Sequence, residues 1–365
     1  MIEGSTRVSE SKTAASSPST YVSIQQLRAV AALGVVLAHL EIYLGRMGFA
    51  GVWPHFLTSG VDIFFVISGF IMWVTTADRA VTPAQFFVNR LTRIAPLYWA
   101  VTALALAVLL TNRSLMPGAA LDWGHVVASF LFIPAMHPVI GEPQPLVTAG
   151  WTLNFEMMFY ALFALALFLP QRFRLNAVLT LLLGVVSLRM FDPRPFGAIW
   201  FYSSNIILEF GFGVMIGALV TAGRRYSARA GLILVVLGAL LIVPLSEIRE
   251  AEHLRAILRG VPSALIVLGA VMLELEGRVL ASRLARFLGD ASYSIYLTHG
   301  MVLSAFTRLW AKLLPPAISG SFVLFCLAGF VVAAIAGSAI YLLVEKPLGR
   351  VAKNLFRSRR SLAPA

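Results

Sequence analysis

The sequence predicts an all-α fold, a polytopic integral membrane bundle of about ten transmembrane helices with both termini cytoplasmic. Three observations carry that expectation. Of 365 residues, 59% are hydrophobic and only 13% charged, against roughly a quarter in soluble domains, and the mean hydropathy is +0.83. Apolar runs recur at the length a membrane requires, about 20 residues rising ~1.5 Å each. The 29 Lys and Arg cluster at the ends of these runs. With the N-terminus inside, twenty fall on the inner side and nine on the outer, the bias that orients membrane helices. The net charge of +12 does not point to nucleic acid, because no compact basic domain with interleaved aromatics is present. The single cysteine, Cys326, can close no intramolecular disulfide and reads as packing.

Residues 1–20 are rich in Ser, Thr and Ala, lack a signal-peptide core, and read as a disordered cytoplasmic tail. Residues 21–346 form the membrane domain, and 347–365 a basic cytoplasmic tail. The first span is Ile24–Leu44 and the second Val61–Val74, joined by a connection bearing Gly, Trp and Pro. A linker with Asp78, Arg79 and Pro83 leads into a third span ending near Leu110. A 40-residue region follows, punctuated by Pro117, Pro134, Pro138, Pro143 and Pro145. Its apolar piece, Val126–Pro134, is too short to cross and reads as interfacial or re-entrant. Counting it as a span would invert every later loop and collapse the charge bias. The remaining spans are Trp151–Leu169, Asn176–Met190, Ile199–Val220, Ala230–Pro244, Ile257–Leu273, Ala291–Trp310 and Phe322–Val344. Among the outer basic residues on this topology are Arg46, Arg113, Arg194, Arg249, Arg255 and Arg259.

The first span carries two ionisable residues, Arg28 and His39, eleven positions apart. That separation is ~16 Å and about three turns, so both lie near one face at different depths. Two readings stay open: a functional pair, or an arginine snorkelling to headgroups and a histidine bonded to a neighbouring helix. Arg90 and Arg93, three apart at the inner start of the third span, join Arg28 as a candidate phosphate site; ordinary positive-inside anchoring is the alternative. Toward the outer side, His39, Asp62 and Glu156 are expected at similar depth on three helices. Imidazole and carboxylate together supply a general base and a group that orients it, as acyl transfer to a hydroxyl requires; a polar network locking helices is the alternative. Trp151 and Asn154 precede Glu156, and Trp151 also reads as an interfacial anchor. Tyr296 and His299, three apart on the ninth span, line one cavity or pack helices. His55, His125, His137 and His253 fall in outer loops without metal-ligand spacing and are expected at the surface or facing substrate. No phosphate-binding glycine loop, zinc motif or GxSxG elbow occurs in a credible context.

Several stretches together resemble the membrane-bound acyltransferase 3 family, and within it the exopolysaccharide acetyltransferase branch of the ExoZ type. They are RAVAALGVVLAH with Arg28 and His39, GVDIFFVISGF with Asp62 and Ser68, RLTRIAPLY with Arg90 and Arg93, WTLNFEMMFY with Glu156, and the late GDASYSIYLTH and EKP. The resemblance covers about residues 22–350. It implies that 21–346 is an acyltransferase domain in a bacterial inner membrane, and that the enzyme moves an acyl group, usually acetyl, from cytoplasmic acyl-CoA to a glycan hydroxyl. The acceptor would be an exopolysaccharide or a lipid-linked precursor, with membrane lipids as surroundings and no metal or nucleic acid involved. Arg28, Arg90 and Arg93 would hold the CoA phosphates. His39 would accept the hydroxyl proton or first take the acyl group, with Asp62 or Glu156 orienting its ring; Trp151, Asn154, Tyr296 and His299 would meet substrate. Direct transfer and an acyl-enzyme relay both stay open. Because the chain ends soon after the tenth span, the esterase-like domain fused to some members is not expected. A transporter of lipid-linked sugar, or a non-catalytic subunit of a polysaccharide assembly complex, is the competing class; the absence of paired halves counts against the transporter.

Overall fold

The computed structural model describes residues 21–77, 79–116, 118–191, 197–248, 252–314 and 321–361. The N-terminal tail, Asp78, Pro117, Arg194, Arg249 and the last four residues lie outside them. Among the described residues the fold is helical, with no strand beyond one isolated bridge between Met136 and Pro143.

The helices are α1 (Val22–Arg46), α2 (Gly60–Thr76), α3 (Pro83–Thr111), α4 (Trp123–Phe130), α5 (Trp151–Ala166), α6 (Gln171–Ser187), α7 (Ala198–Tyr202), α8 (Leu208–Thr221), α9 (Ala228–Ser246), α10 (Val261–Leu275), α11 (Arg283–Leu313), α12 (Phe322–Ile340) and α13 (Lys346–Ser361). Nine of the ten expected spans fall on continuous helix, and among the described residues seven helices are long and apolar enough to cross a membrane. The 14-residue α8 and 16-residue α5 are shorter, and the 31-residue α11 carries charge at both ends. The expected continuous span Ile199–Val220 is broken. Ser203, Ser204 and Asn205 interrupt it, and their side chains compete for backbone partners: Ser203 Oγ donates to Trp200 O, and Asn205 leaves to bond His253 O. The Val126–Pro134 piece contributes only the eight-residue α4. The C-terminal basic stretch continues the last membrane helix as α13 through Ser361.

α1 stands at the centre, packed against α2, α11 and α12; α8 lies on α2, and α9 on α10. In lipid the attraction between helices is dispersion, so close approach decides the packing. At Gly69 of α2 an added Cβ would lie 2.0 Å from the carbonyl oxygen of Phe210, and at Gly213 of α8 1.9 Å from that of Val66. Nothing larger than glycine fits this crossing. The N-terminus of α1 has no acidic residue in its first turn; instead Glu274, at the end of α10, accepts from Val22 N (2.7 Å), Ser23 N (2.8 Å) and Ser23 Oγ (2.5 Å). A carboxylate from a distant helix thus satisfies the orphan donors and faces the positive end of the dipole. Two five-residue π turns, Ala256–Gly260 and Tyr341–Glu345, interrupt otherwise regular helices, and each adjoins an ion pair.

Candidate active site

A cavity enclosing about 860 Å³, its open mouth included, runs through the middle of the bundle between α1, α2, α3, α5 and α11. One face of α2 walls it from Met72 through Ser68 to Val61, eleven residues or ~16 Å of helix. Arg28, Arg90 and Arg93 line one end. Residue spacing explains their convergence. Thr82 caps α3 in a reciprocal box with Gln85, Pro83 opens the helix, and two turns later Arg90 and Arg93 project three apart toward α1.

The three guanidinium groups are held differently. Arg28 Nη1 reaches Gln25 Oε1 only at 3.5 Å. Arg90 Nη2 donates to Thr75 Oγ1 at 3.3 Å, its Nε is buried with no partner among the described residues, and its guanidinium sits 5.7 Å from the Phe86 ring centre. Arg93 pairs through Nη1 with Glu345, whose other oxygen accepts from Ser294 Oγ at 2.6 Å. Glu156 faces this group from α5. Its Oε1 accepts from Ser68 Oγ (3.1 Å) and from Tyr160 OH, so both orienting donors also line the cavity. Cations clustered in a space of low polarity, with donors left over, favour an anionic ligand.

At the far end the wall is Val61, Phe64, Thr152 and Tyr296. Tyr296 OH bonds Thr152 Oγ1 (3.0 Å) and donates to Ala149 O (3.1 Å), while its ring centre lies 5.8 Å from Phe64 and 6.0 Å from His299. Behind that ring, His299 and His39 stand with centroids 4.8 Å apart. His39 Nδ1 lies 2.9 Å from Val35 O, and His299 Nδ1 contacts Tyr296 O. A carbonyl only accepts, so each Nδ1 carries the proton and, in the neutral ring, each Nε2 keeps its lone pair. Tyr43 OH ties the same two helices together through Gly300 O (2.7 Å).

This geometry corrects the expectation that His39, Asp62 and Glu156 share one depth. Glu156 is level with Ser68, six residues or ~9 Å further along α2 than Asp62, and belongs to the arginine cluster. Asp62 is fully buried and gives both oxygens to Arg255, to Nε at 3.0 Å and Nη2 at 3.3 Å. Neither carboxylate bonds His39; the backbone orients that ring. Trp151 and Asn154 do not line the cavity. Trp151 sits edge-on to Phe155, and Asn154 is fully buried with neither amide atom partnered among the described residues. His125 and His137, expected at the surface or facing substrate, are not at the surface: both are buried with rings 5.0 Å apart, because the segment that carries them folds back into the bundle.

Several charged or polar residues had no assigned role from sequence. Tyr160 bonds Glu156, which faces the arginine cluster, and Glu345 pairs with Arg93. Glu209 is fully buried beside Asp62 and Arg255, and Arg259 donates to Ser246 O at 3.3 Å. A signal for Glu209 existed, since it is a lone carboxylate within an apolar stretch. Among the described residues no group of three or more His, Cys, Asp or Glu is placed to hold a metal.

Comparison with known proteins gives the family. The acyltransferase 3 family, an acyltransferase domain, matches residues 21–341. The exopolysaccharide production protein ExoZ of Rhizobium meliloti (strain 1021) is 38% identical over 294 residues, 80% of this chain and 89% of its own. A Bacillus subtilis (strain 168) protein provisionally named the peptidoglycan O-acetyltransferase YrhL is 27% identical over 316 residues, and the chain spans 48% of its length. The peptidoglycan O-acetyltransferase OatA of Listeria monocytogenes serovar 1/2a (strain ATCC BAA-679 / EGD-e) is 29% identical over 155 residues, 38% of this chain and 22% of its own. No solved structure matches the chain. The protein belongs to the acyltransferase 3 family and is a multi-pass membrane acyltransferase.

Proposed function

We propose that the protein transfers an acyl group, acetyl by preference, from cytoplasmic acyl-CoA to a hydroxyl of an exopolysaccharide or its lipid-linked precursor, at a bacterial inner membrane. The observation that carries this reading is one cavity that has three arginines at one end and a wall shared with a histidine pair at the other. The arginine end faces the cytoplasm under the charge bias of the loops. There Arg28, Arg90 and Arg93 meet the nucleotide phosphates, and the pantetheine arm extends along the α2 face past Ser68 and Glu156. Glu156, fixed by Ser68 and Tyr160, offsets the arginine charge and accepts from the arm's amide groups. His39, with Nε2 unprotonated, takes the proton of the attacking sugar hydroxyl. The thioester reaches it when the Tyr296 ring stands aside. Asp62 contributes by holding Arg255 rather than by touching the imidazole.

Purified protein in detergent, given radiolabelled acetyl-CoA and a polysaccharide extract, is expected to label the glycan. Arg90→Ala raises KM for the donor, and His39→Ala abolishes transfer with the folded protein intact. A folded His39→Ala enzyme of full activity would overturn the assignment of the base.

A further inference from the structure

We propose that Glu345 is a positioning residue for donor recognition: it aims the Arg93 guanidinium into the cavity, so that the enzyme reads the phosphates of the donor through a carboxylate carried on the π turn that ends α12. The inference rests on the acyl-CoA reading above and names the part of the donor that this pair senses.

Arg93 is an exposed side chain, 41% accessible, at the rim of the cavity, and a long flexible cation there pays a large rotamer entropy to hold one orientation. Glu345 is the opposite case, 4% accessible and anchored. One of its oxygens takes Arg93 Nη1 and the other takes Ser294 Oγ at 2.6 Å. Ser294 is itself fully buried on α11, two residues from Ser292 and one from Tyr293, which both line the cavity. The carboxylate is therefore fixed by the wall of the site before any ligand arrives. Among the described residues the guanidinium uses only Nη1 for this contact, which leaves its remaining N–H donors for an anion. The π turn supplies the reach: the extra residue per turn within Tyr341–Glu345 moves the helix face bearing Glu345 away from the i, i+4 register of α12 and toward α3. Lone anchoring of the helix ends would not need a buried carboxylate at this rim, since arginines there already reach the headgroups.

Two donors separate positioning from mere packing: acetyl-CoA, and S-acetyl-pantetheine, which lacks every phosphate. With Glu345→Gln, which keeps the shape and the Ser294 bond, KM for acetyl-CoA is expected to rise about tenfold with kcat within twofold, while the kinetics with S-acetyl-pantetheine stay at wild type. In an Arg93→Gln background the same change should add nothing. If Glu345→Gln does not yield folded protein, Ser294→Ala takes its place, with a smaller rise in KM for acetyl-CoA alone. Equal losses with both donors, no change with either, or additive effects with Arg93→Gln overturn the proposal. A wild-type enzyme that uses neither donor refutes the acyl-CoA reading instead, so the two failures are distinguishable.

Discussion

The crossing of α2 and α8 offers the sharpest perturbation of the site, because Gly69 follows Ser68 directly. In Gly69→Ala the new methyl would stand 2.0 Å from the carbonyl oxygen of Phe210 and close to Val214 N, both backbone atoms that cannot rotate away. A carbon and a carbonyl oxygen rest at about 3.3 Å or more, so the two helices must part by roughly 1.3 Å. Overpacking of that kind costs about 1–3 kcal/mol. The functional effect is larger. The Ser68–Glu156 bond is 3.1 Å long and is lost beyond about 3.5 Å, which frees the carboxylate that faces the arginines. A misplacement of about 1 Å in a binding wall lowers turnover by up to about a hundredfold. Gly300→Ala is the control. It lies on α11 next to His299, its Cβ meets nothing within 4 Å, and alanine is favoured over glycine in a helix by about 1 kcal/mol. Thermal unfolding in detergent and acetyl transfer are measured on both. Gly69→Ala is expected to unfold several degrees early and to lose most activity, with Gly300→Ala unchanged or more stable. A Gly69→Ala protein matching wild type in both assays would refute the claim that glycine contact sets the spacing of the cavity wall.

Other perturbations test separate parts of the structure. Asp62→Asn removes one partner of a buried ion pair and is expected to cost about 3–5 kcal/mol, with Asp62→Asn/Arg255→Gln recovering part of it; full stability of the single variant, read by thermal unfolding, contradicts the pairing. Glu274→Ala leaves the first donors of α1 without their cap and should cost about 1–3 kcal/mol, visible as early hydrogen exchange at Val22 and Ser23. In the loop between α4 and α5, burial and then the neighbouring His125 push the His137 pKa down. Its Nδ1 accepts from Val139 N and Ile140 N, both at 3.2 Å, which favours the neutral ring. The unfolded chain binds the proton first, so this contribution is complete above about pH 6.5 and fades as pH falls from there toward the lowered native value. His137→Asn should flatten the fall of Tm between about pH 6.5 and 5, and an unchanged slope would count against it.

The helices and the arginine cluster were legible because both follow from rules that act locally. A run of apolar residues bounded by basic ones fixes a span and its ends, and Arg28, Arg90 and Arg93 all sit within about three turns of a helix start at the same side. The depth of Glu156 was not legible, and the reason is the loop before it. Counting from the start of α5 assumes that helices begin in one plane. Here the chain returns far into the bundle: Tyr98, thirteen residues or ~20 Å before the end of α3, donates to Ser129 O at 2.9 Å, and Ser129 Oγ accepts from Leu146 N. Gly150 then packs on the ring of Tyr98, so α5 starts deep, and five residues later its carboxylate meets the arginines instead of the imidazole. A re-entrant segment can exist in lipid only where its backbone is satisfied by protein, and those bonds to Tyr98 and Leu146 are what satisfy it. The π turns escaped for a related reason. One extra residue per turn leaves no mark on hydropathy, yet it rotates Glu345 and Arg255 onto new faces and creates the two ion pairs flanking the cavity. Composition therefore located the charged residues, while their partners were decided by features that change depth and rotation without changing apolarity.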